Sequence, residues 1–208
     1  MIRIQLIEQI LREVYGTQPT DDSSITYNLV NQYINQGIGL AVKQNYKDAI
    51  QIDGLGYVNN SFYTTFKGLT ITQDETFLWK ATLPQVPIAI GQNEGVSNLK
   101  VKDNTGKLLG IDCIPLTINQ KSYAASMRAI PNRVLYYTEG NTAFLMTTLI
   151  LNQYTLNATI ISGGDSTNLN SQLNIPDDYI PTVIQYVSQL LMVERKQPQD
   201  QINDGVSN

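Results

Sequence analysis

The sequence predicts an α+β fold: an antiparallel helical unit built from both chain ends, carrying an inserted antiparallel β-rich region. Three observations predict it. Apolar residues recur at helical spacing in 3–15, in about 24–47 and again in about 177–197. Between them the period shortens to two, in short runs rich in Val, Ile, Thr, Tyr and Phe. Turn and capping residues mark the joints. The chain thus divides into N-terminal helices (1–51), a β-rich insertion (52–165), a loop and closing helix (166–197) and a C-terminal arm (198–208).

In the first helix, Ile7, Ile10, Leu11 and Val14 fall at i, i+3, i+4 and i+7, which is one face. Gly16 stops it. The following "GTQPTDDSS" ends in capping residues, with Ser23 or Ser24 as acceptor and Asp21 and Asp22 suited to a positive helix start. In the second helix Val30, Tyr33, Ile34, Gly37, Ile38 and Ala41 form the inner stripe. Gly37 and Gly39 each cost about 1 kcal/mol against alanine in an isolated helix, which close approach of another backbone would offset; a local break is the alternative.

Next come "TTFKGLTIT" (64–72) and "ETFLWKATL" (75–83), joined through Gln73-Asp74. "NLKVKD-NTG-KLLGIDC" (98–113) reads as a hairpin about Asn104-Thr105-Gly106, since glycine takes the positive φ such turns need. "QKSYAASMRA" (120–129) reads as a short helix, and "RVLYYTE-GN-TAFLMTT" (133–148) as a hairpin turning at Gly140-Asn141. "YTLNATIIS" (154–162) is a further strand, and "GGDSTNLNSQLN" (163–174) a polar loop. In the third helix Ile180, Val183, Ile184, Val187, Leu190 and Leu191 form an apolar stripe; Pro198 ends it.

A chain of 208 residues buries enough surface to fold without disulfides or metal. Its single cysteine, Cys113, reads as a small apolar packing residue. Net charge is −4, and the 14 basic residues are scattered, so no nucleic-acid footprint is legible. No apolar run reaches the ~18 residues of a membrane span. The start, with Glu8 and Glu13 and no small-residue cleavage site, does not read as a signal peptide. The expectation is therefore a protein made in a cytoplasm and remaining there unless it leaves within a particle.

The chain has no histidine, so the commonest general base and transition-metal ligand is missing. Asn and Gln number 37 against 32 charged residues. That surface hydrogen-bonds without strong repulsion and suits a protein packed against copies of itself; an AT-rich genome would also enrich asparagine. Asp177-Asp178 reads as a capping pair at a helix start, where four N–H groups lack partners and the dipole favours anions, with regular helix from near 179–181 because Pro181 would clash beyond a first turn. Adjacent carboxylates in a helix point about 100° apart and rarely converge on one atom. Asp21/Asp22 and Asp74/Glu75 read as a helix start and a hairpin turn. Asp165 and its neighbours offer oxygen donors but lack the spaced carboxylates of a calcium loop. The residues thus nominate no catalytic, cofactor-binding or metal-binding side chain. The twelve tyrosines read as half-buried packing and interface residues.

The order of parts resembles the head-to-tail adaptor, or neck-ring, proteins of tailed bacteriophages. The residues that carry the resemblance are "ATLP" (81–84), the "NTGK" turn, "IPNRVLYYTEGNTAFL" (130–145) and "IPDDYIPTVIQYVSQLL" (175–191), in that order behind two helices. Pro181 departs from the pattern, since that segment usually begins uninterrupted helix. The Asn-, Ile- and Tyr-rich composition suits a phage of low-GC gut bacteria, such as a crAss-like phage. The resemblance implies a virion protein without catalysis, assembled in the host cytoplasm. It would stand in a homo-oligomeric ring, commonly of twelve copies, between the portal and other neck or tail proteins. It implies passive contact with DNA in the channel, no membrane and no cofactor, and an arm from Pro198 ordered by a neighbour. Two other readings make different demands. A glycan-binding tail-fibre or adhesin module needs exposed tyrosines clustered with Trp79, and a histidine-free hydrolase needs converging carboxylates.

Overall fold

The computed structural model describes residues 1–16, 25–90, 95–103, 113–116, 120 and 133–196. It is a mixed α+β fold with helices in both terminal regions and the β-rich region between them. Helix α1 spans Arg3–Tyr15, as its periodicity requires. Gln5 reaches back to the Ile2 N–H (3.1 Å), and Gly16, at φ 71°, closes the helix by donating to Arg12 O. Helix α2 spans Tyr27–Asp53. Its cap is Thr26, whose Oγ1 accepts from Leu29 N (3.3 Å). The expected cap at Ser23 or Ser24, with Asp21 and Asp22, lies outside the described residues. The helix also runs six residues beyond 47, to Gly54 in the left-handed conformation. Nothing in 48–53 breaks it, and the buried Ala49 extends its packed face.

The closing helix, α3, spans Ile180–Lys196 and follows one 3-10 turn at Asp177–Tyr179, so regular helix begins where Pro181 requires it to. Helices α2 and α3 run antiparallel: Tyr33 donates to Glu194 near one end, and Asn45 and Asp48 meet Tyr179 near the other. Midway, a Cβ on Gly37 would lie 3.1 Å from Val183 Cγ1. Side chains of α3 therefore occupy the space that Gly37 leaves, and the backbone neighbour expected from sequence is not there. Gly39 has nothing within 4 Å of that position. Gly39→Ala is accordingly expected to stabilise the protein by about 0.5–1 kcal/mol. Gly37→Ala should gain less or lose, because Val183 must move. Urea midpoints of the two variants check the contrast.

The β region forms two sheets. β1 (Tyr63–Thr70), β8 (Tyr154–Ile161) and β4 (Val96–Asp103) make a three-stranded antiparallel sheet in the order β1-β8-β4. The second sheet has the order β2-β3-β7-β6-β5, from Thr72–Glu75, Leu78–Thr82, Thr142–Met146, Val134–Glu139 and Cys113–Pro115. The β6–β7 hairpin turns at Gly140-Asn141, as its Gly-Asn pair predicts.

Three details differ from the sequence expectation. The β2–β3 turn falls at Thr76-Phe77, so Gln73, Asp74 and Glu75 lie within β2. Phe77 takes φ 67° there, a conformation that gave no glycine signal to read. Cys113 belongs to β5, which pairs parallel with β6 in the second sheet, so it closes no hairpin with β4. The turn at 104–106 lies outside the described residues, as does 121–129 of the expected short helix.

Two hydrophobic cores result. One joins the three helices with Val58, Phe62, Ile90, Ile161, Leu173 and Ile175. The other fills the space between the sheets, with Leu99, Val101, Leu156 and Ile160 from one and Trp79, Ala81, Tyr136 and Leu145 from the other. Strand alternation explains how they meet. Ile160 and Ile161 are both fully buried, but successive strand residues face opposite ways, so each belongs to a different core. Phe62, whose carbonyl accepts from Ser162 N (3.1 Å), stands at the same joint.

Candidate interaction surfaces

The acidic residues singled out from sequence do not converge. Asp177 and Asp178 occupy the 3-10 turn before α3 and are exposed. Pro176 holds the cap position, so no side chain caps the turn and the expected capping bond is not made. Asp74 pairs with Lys80 across β2 and β3 (2.6 Å). Asp165 turns back on its own loop, its Oδ1 accepting from Thr167 N (2.9 Å) and Thr167 Oγ1 (2.7 Å). These bonds hold its pKa below the ordinary carboxylate value. Among the described residues no group of three His, Cys, Asp or Glu could hold a metal ion. None of their helices is long and apolar enough to cross a membrane. Ser97 and Lys100 have the Ser-x-x-Lys spacing of some acyl-transfer enzymes. On β4, however, Ser97 falls at the register shift between Val96 and Asn98, and the two side chains do not share a helical face.

The largest polar feature was not legible in sequence. Arg3 is fully buried in the first turn of α1. It donates to Asn31 Oδ1 and Asn35 Oδ1 of α2 (both 2.8 Å) and to Gly163 O (3.1 Å), while its Nε has no partner. Burial lowers its pKa and the negative field of Asp165 opposes that. Around it the chain start pairs with the 163–174 loop: Arg3 N donates to Ser171 O, Ile4 N to Leu169 O and Leu173 N to Met1 O. The polar loop is thus latched in place by the first helix.

Beside the latch lies an open groove of about 360 Å³, between Asn35 and Ile38 of α2, the Pro84–Val86 segment and Ser162–Gly164. Its lining holds no ionisable side chain. A Cβ on Gly163 would press on the Ile38 side chain, and one on Gly164, which has φ 86°, would lie 2.5 Å from the backbone oxygen of Gln172.

Two surfaces stand out. At the C-terminal end of α2, Ile50, Ile52, Leu55 and Tyr57 are exposed, Ile52 by 80% and Leu55 by 68%. Local bonds hold this ridge. Tyr57 donates to Asp53 (2.5 Å), Asn59 N donates to Asn45 Oδ1 (2.9 Å), and the Tyr46 ring occupies the space beside Gly56. The second surface is the outer face of the β1-β8-β4 sheet. Leu99 and Val101 point into the core, so Lys100 and Lys102 point outward, opposite Asn157 and Thr155. Lys67 projects from β1 on the same side, next to the inward Phe66. The sequence scatters these lysines over 67–102; strand pairing gathers them.

Trp79 is only 5% exposed and lies between the sheets. The exposed tryptophan face that a glycan-binding module needs is therefore not built. Its fluorescence is expected to be blue-shifted and protected from acrylamide; emission near that of free tryptophan would contradict the sandwich core.

The fold and its surfaces define a mixed α+β protein with two cores, whose most distinctive exposed features are an apolar ridge and a basic sheet face. No protein-family model matches the chain, and no curated protein matches it.

Proposed function

We propose that this chain is a structural virion protein, a subunit of the ring that connects the capsid portal to the tail, with no chemistry of its own. The reading begins from the order of parts that resembles head-to-tail adaptors. One observation carries it further: a rigid apolar ridge stands in solvent at the end of a helical unit closed by both chain ends. A monomer gains nothing from holding Ile52 and Leu55 out in water, whereas a subunit contact would bury them. A closed ring uses two different surfaces on each copy, and ridge and sheet face are different surfaces. In this reading the partners are copies of the chain, twelve in the usual ring, with the portal above, other neck or tail proteins below and DNA passing through. The location is the neck of the virion, after assembly in the host cytoplasm.

Mixing the full chain with the portal of the same virus, followed by negative-stain microscopy, tests the proposal. Rings stacked on the portal are expected. A chain that neither binds the portal nor forms a large oligomer overturns it.

A further inference from the structure

We propose that copies of this chain join head to tail by seating the ridge of one on the lysine face of the β1-β8-β4 sheet of the next. The inference deepens the ring reading and rests on it. The two surfaces are complementary in charge. The ridge at Ile50–Tyr57 lies among carboxylates. Asp53 is bonded to the ridge's own Tyr57, and Asp48 accepts from Tyr179 (2.9 Å), which brings the Asp177–Asp178 turn to the same end. Lys47 is the one basic residue interleaved with Asp48 and Asp53 there. The sheet face has the opposite character. Lys67, Lys100 and Lys102 project among Thr65, Thr70 and Asn157, and none of its outward strand positions holds a carboxylate. In a chain of net charge −4, a face whose described strand positions hold three lysines and no outward acid is a local reversal of sign.

The chemistry of contact follows. Lysine stems and threonine methyls offer apolar surface to Ile52 and Leu55, while the ammonium groups reach the surrounding carboxylates. Neither surface complements itself, so the contact is heterologous and repeats from copy to copy until the ring closes. Lysines on β1 and β4 also discourage strand addition, because among the described residues both are edge strands. That role does not require the acidic surroundings of the ridge.

The test compares assembly of full-length variants, alone and on the portal, by sedimentation and native mass spectrometry. Circular dichroism confirms folding. Lys67→Glu, Lys100→Glu and Lys102→Glu together are expected to weaken assembly by at least about tenfold, as is Leu55→Asp. Adding Asp53→Lys, Asp177→Lys and Asp178→Lys to the triple variant is expected to restore assembly. Assembly indifferent to the lysines overturns the proposal, as does loss without restoration. Binding of a short DNA duplex by wild type, lost in the triple variant while rings still form, assigns the face to nucleic acid instead. In both cases of continued assembly the ring reading survives. A wild-type chain that stays monomeric with the portal overturns both.

Discussion

Phe62→Ala is expected to destabilise the protein by about 3–5 kcal/mol, the usual cost of emptying a buried phenylalanine site. The ring is fully buried and packs 5.8 Å from that of Tyr179, tilted by 60°. Three connections depend on its place: α2 through Tyr179, the start of β1, and the end of β8 through Ser162. Emptying it should loosen the helical core from the sandwich as well as weaken it. Two probes separate those effects. Trp79 fluorescence follows the space between the sheets, and far-ultraviolet circular dichroism is dominated by the helices. The two urea transitions are expected to coincide in wild type and to separate in Phe62→Ala. A loss below 1 kcal/mol with coincident transitions would show that Phe62 is not the joint.

Arg3→Ala is expected to cost about 4 kcal/mol, and Arg3→Met about half of that. Alanine removes the guanidinium and also leaves a cavity under α2. Methionine refills most of the volume, so its cost isolates the polar part. That part has two opposing signs. Losing the charge relieves a desolvation penalty and removes an unsatisfied Nε. Against this, the buried Gly163 carbonyl loses its donor, at about 1–3 kcal/mol. Asn31 and Asn35 are less enclosed and recover water, so Gly163 decides the balance. Amide exchange gives an independent check. The Leu173 N–H, bonded to Met1 O, should exchange faster in both variants. Unchanged exchange and unchanged urea midpoints would mean that the latch does not hold the loop.

A smaller effect has a definite sign. Asp165 has a lowered folded-state pKa, so its contribution is complete above its unfolded value and is lost as pH falls through the folded one. Asp165→Asn should therefore lose stability at neutral pH and converge with wild type in acid, as urea titrations at the two extremes would read.

The helices were the most legible part. Ile7, Ile10, Leu11 and Val14 mark one stripe, and Gly16 the stop, so α1 begins and ends where its spacing says. The Gly140-Asn141 turn was equally plain, because two residues carry its whole geometry. The β2–β3 turn was not: Thr76-Phe77 adopts its conformation without a glycine, and Gln73-Asp74 looked more turn-like. The surfaces were still less legible. Arg3 looked like one polar residue on an amphipathic helix, since nothing local says that Asn31, Asn35 and Gly163 will meet it. The lysines of the sheet face looked scattered because register alone brings Lys67 and Lys100 to one side.

Local physics settled what each stretch is. Side-chain periodicity and the Gly140-Asn141 turn act within a few residues, and those interactions are present in the bare chain. Beyond the hairpins, the tertiary structure alone decided which strands are neighbours, that β5 runs parallel to β6, and that Ile160 and Ile161 serve two different cores. It also decided that a cation is sealed beneath α2 and that an apolar ridge is left in water. Most of those outcomes depend on contacts between residues distant in sequence, from Cys113 with Val134 to Arg3 with Gly163. Their cost and gain exist only once the chain has closed on itself.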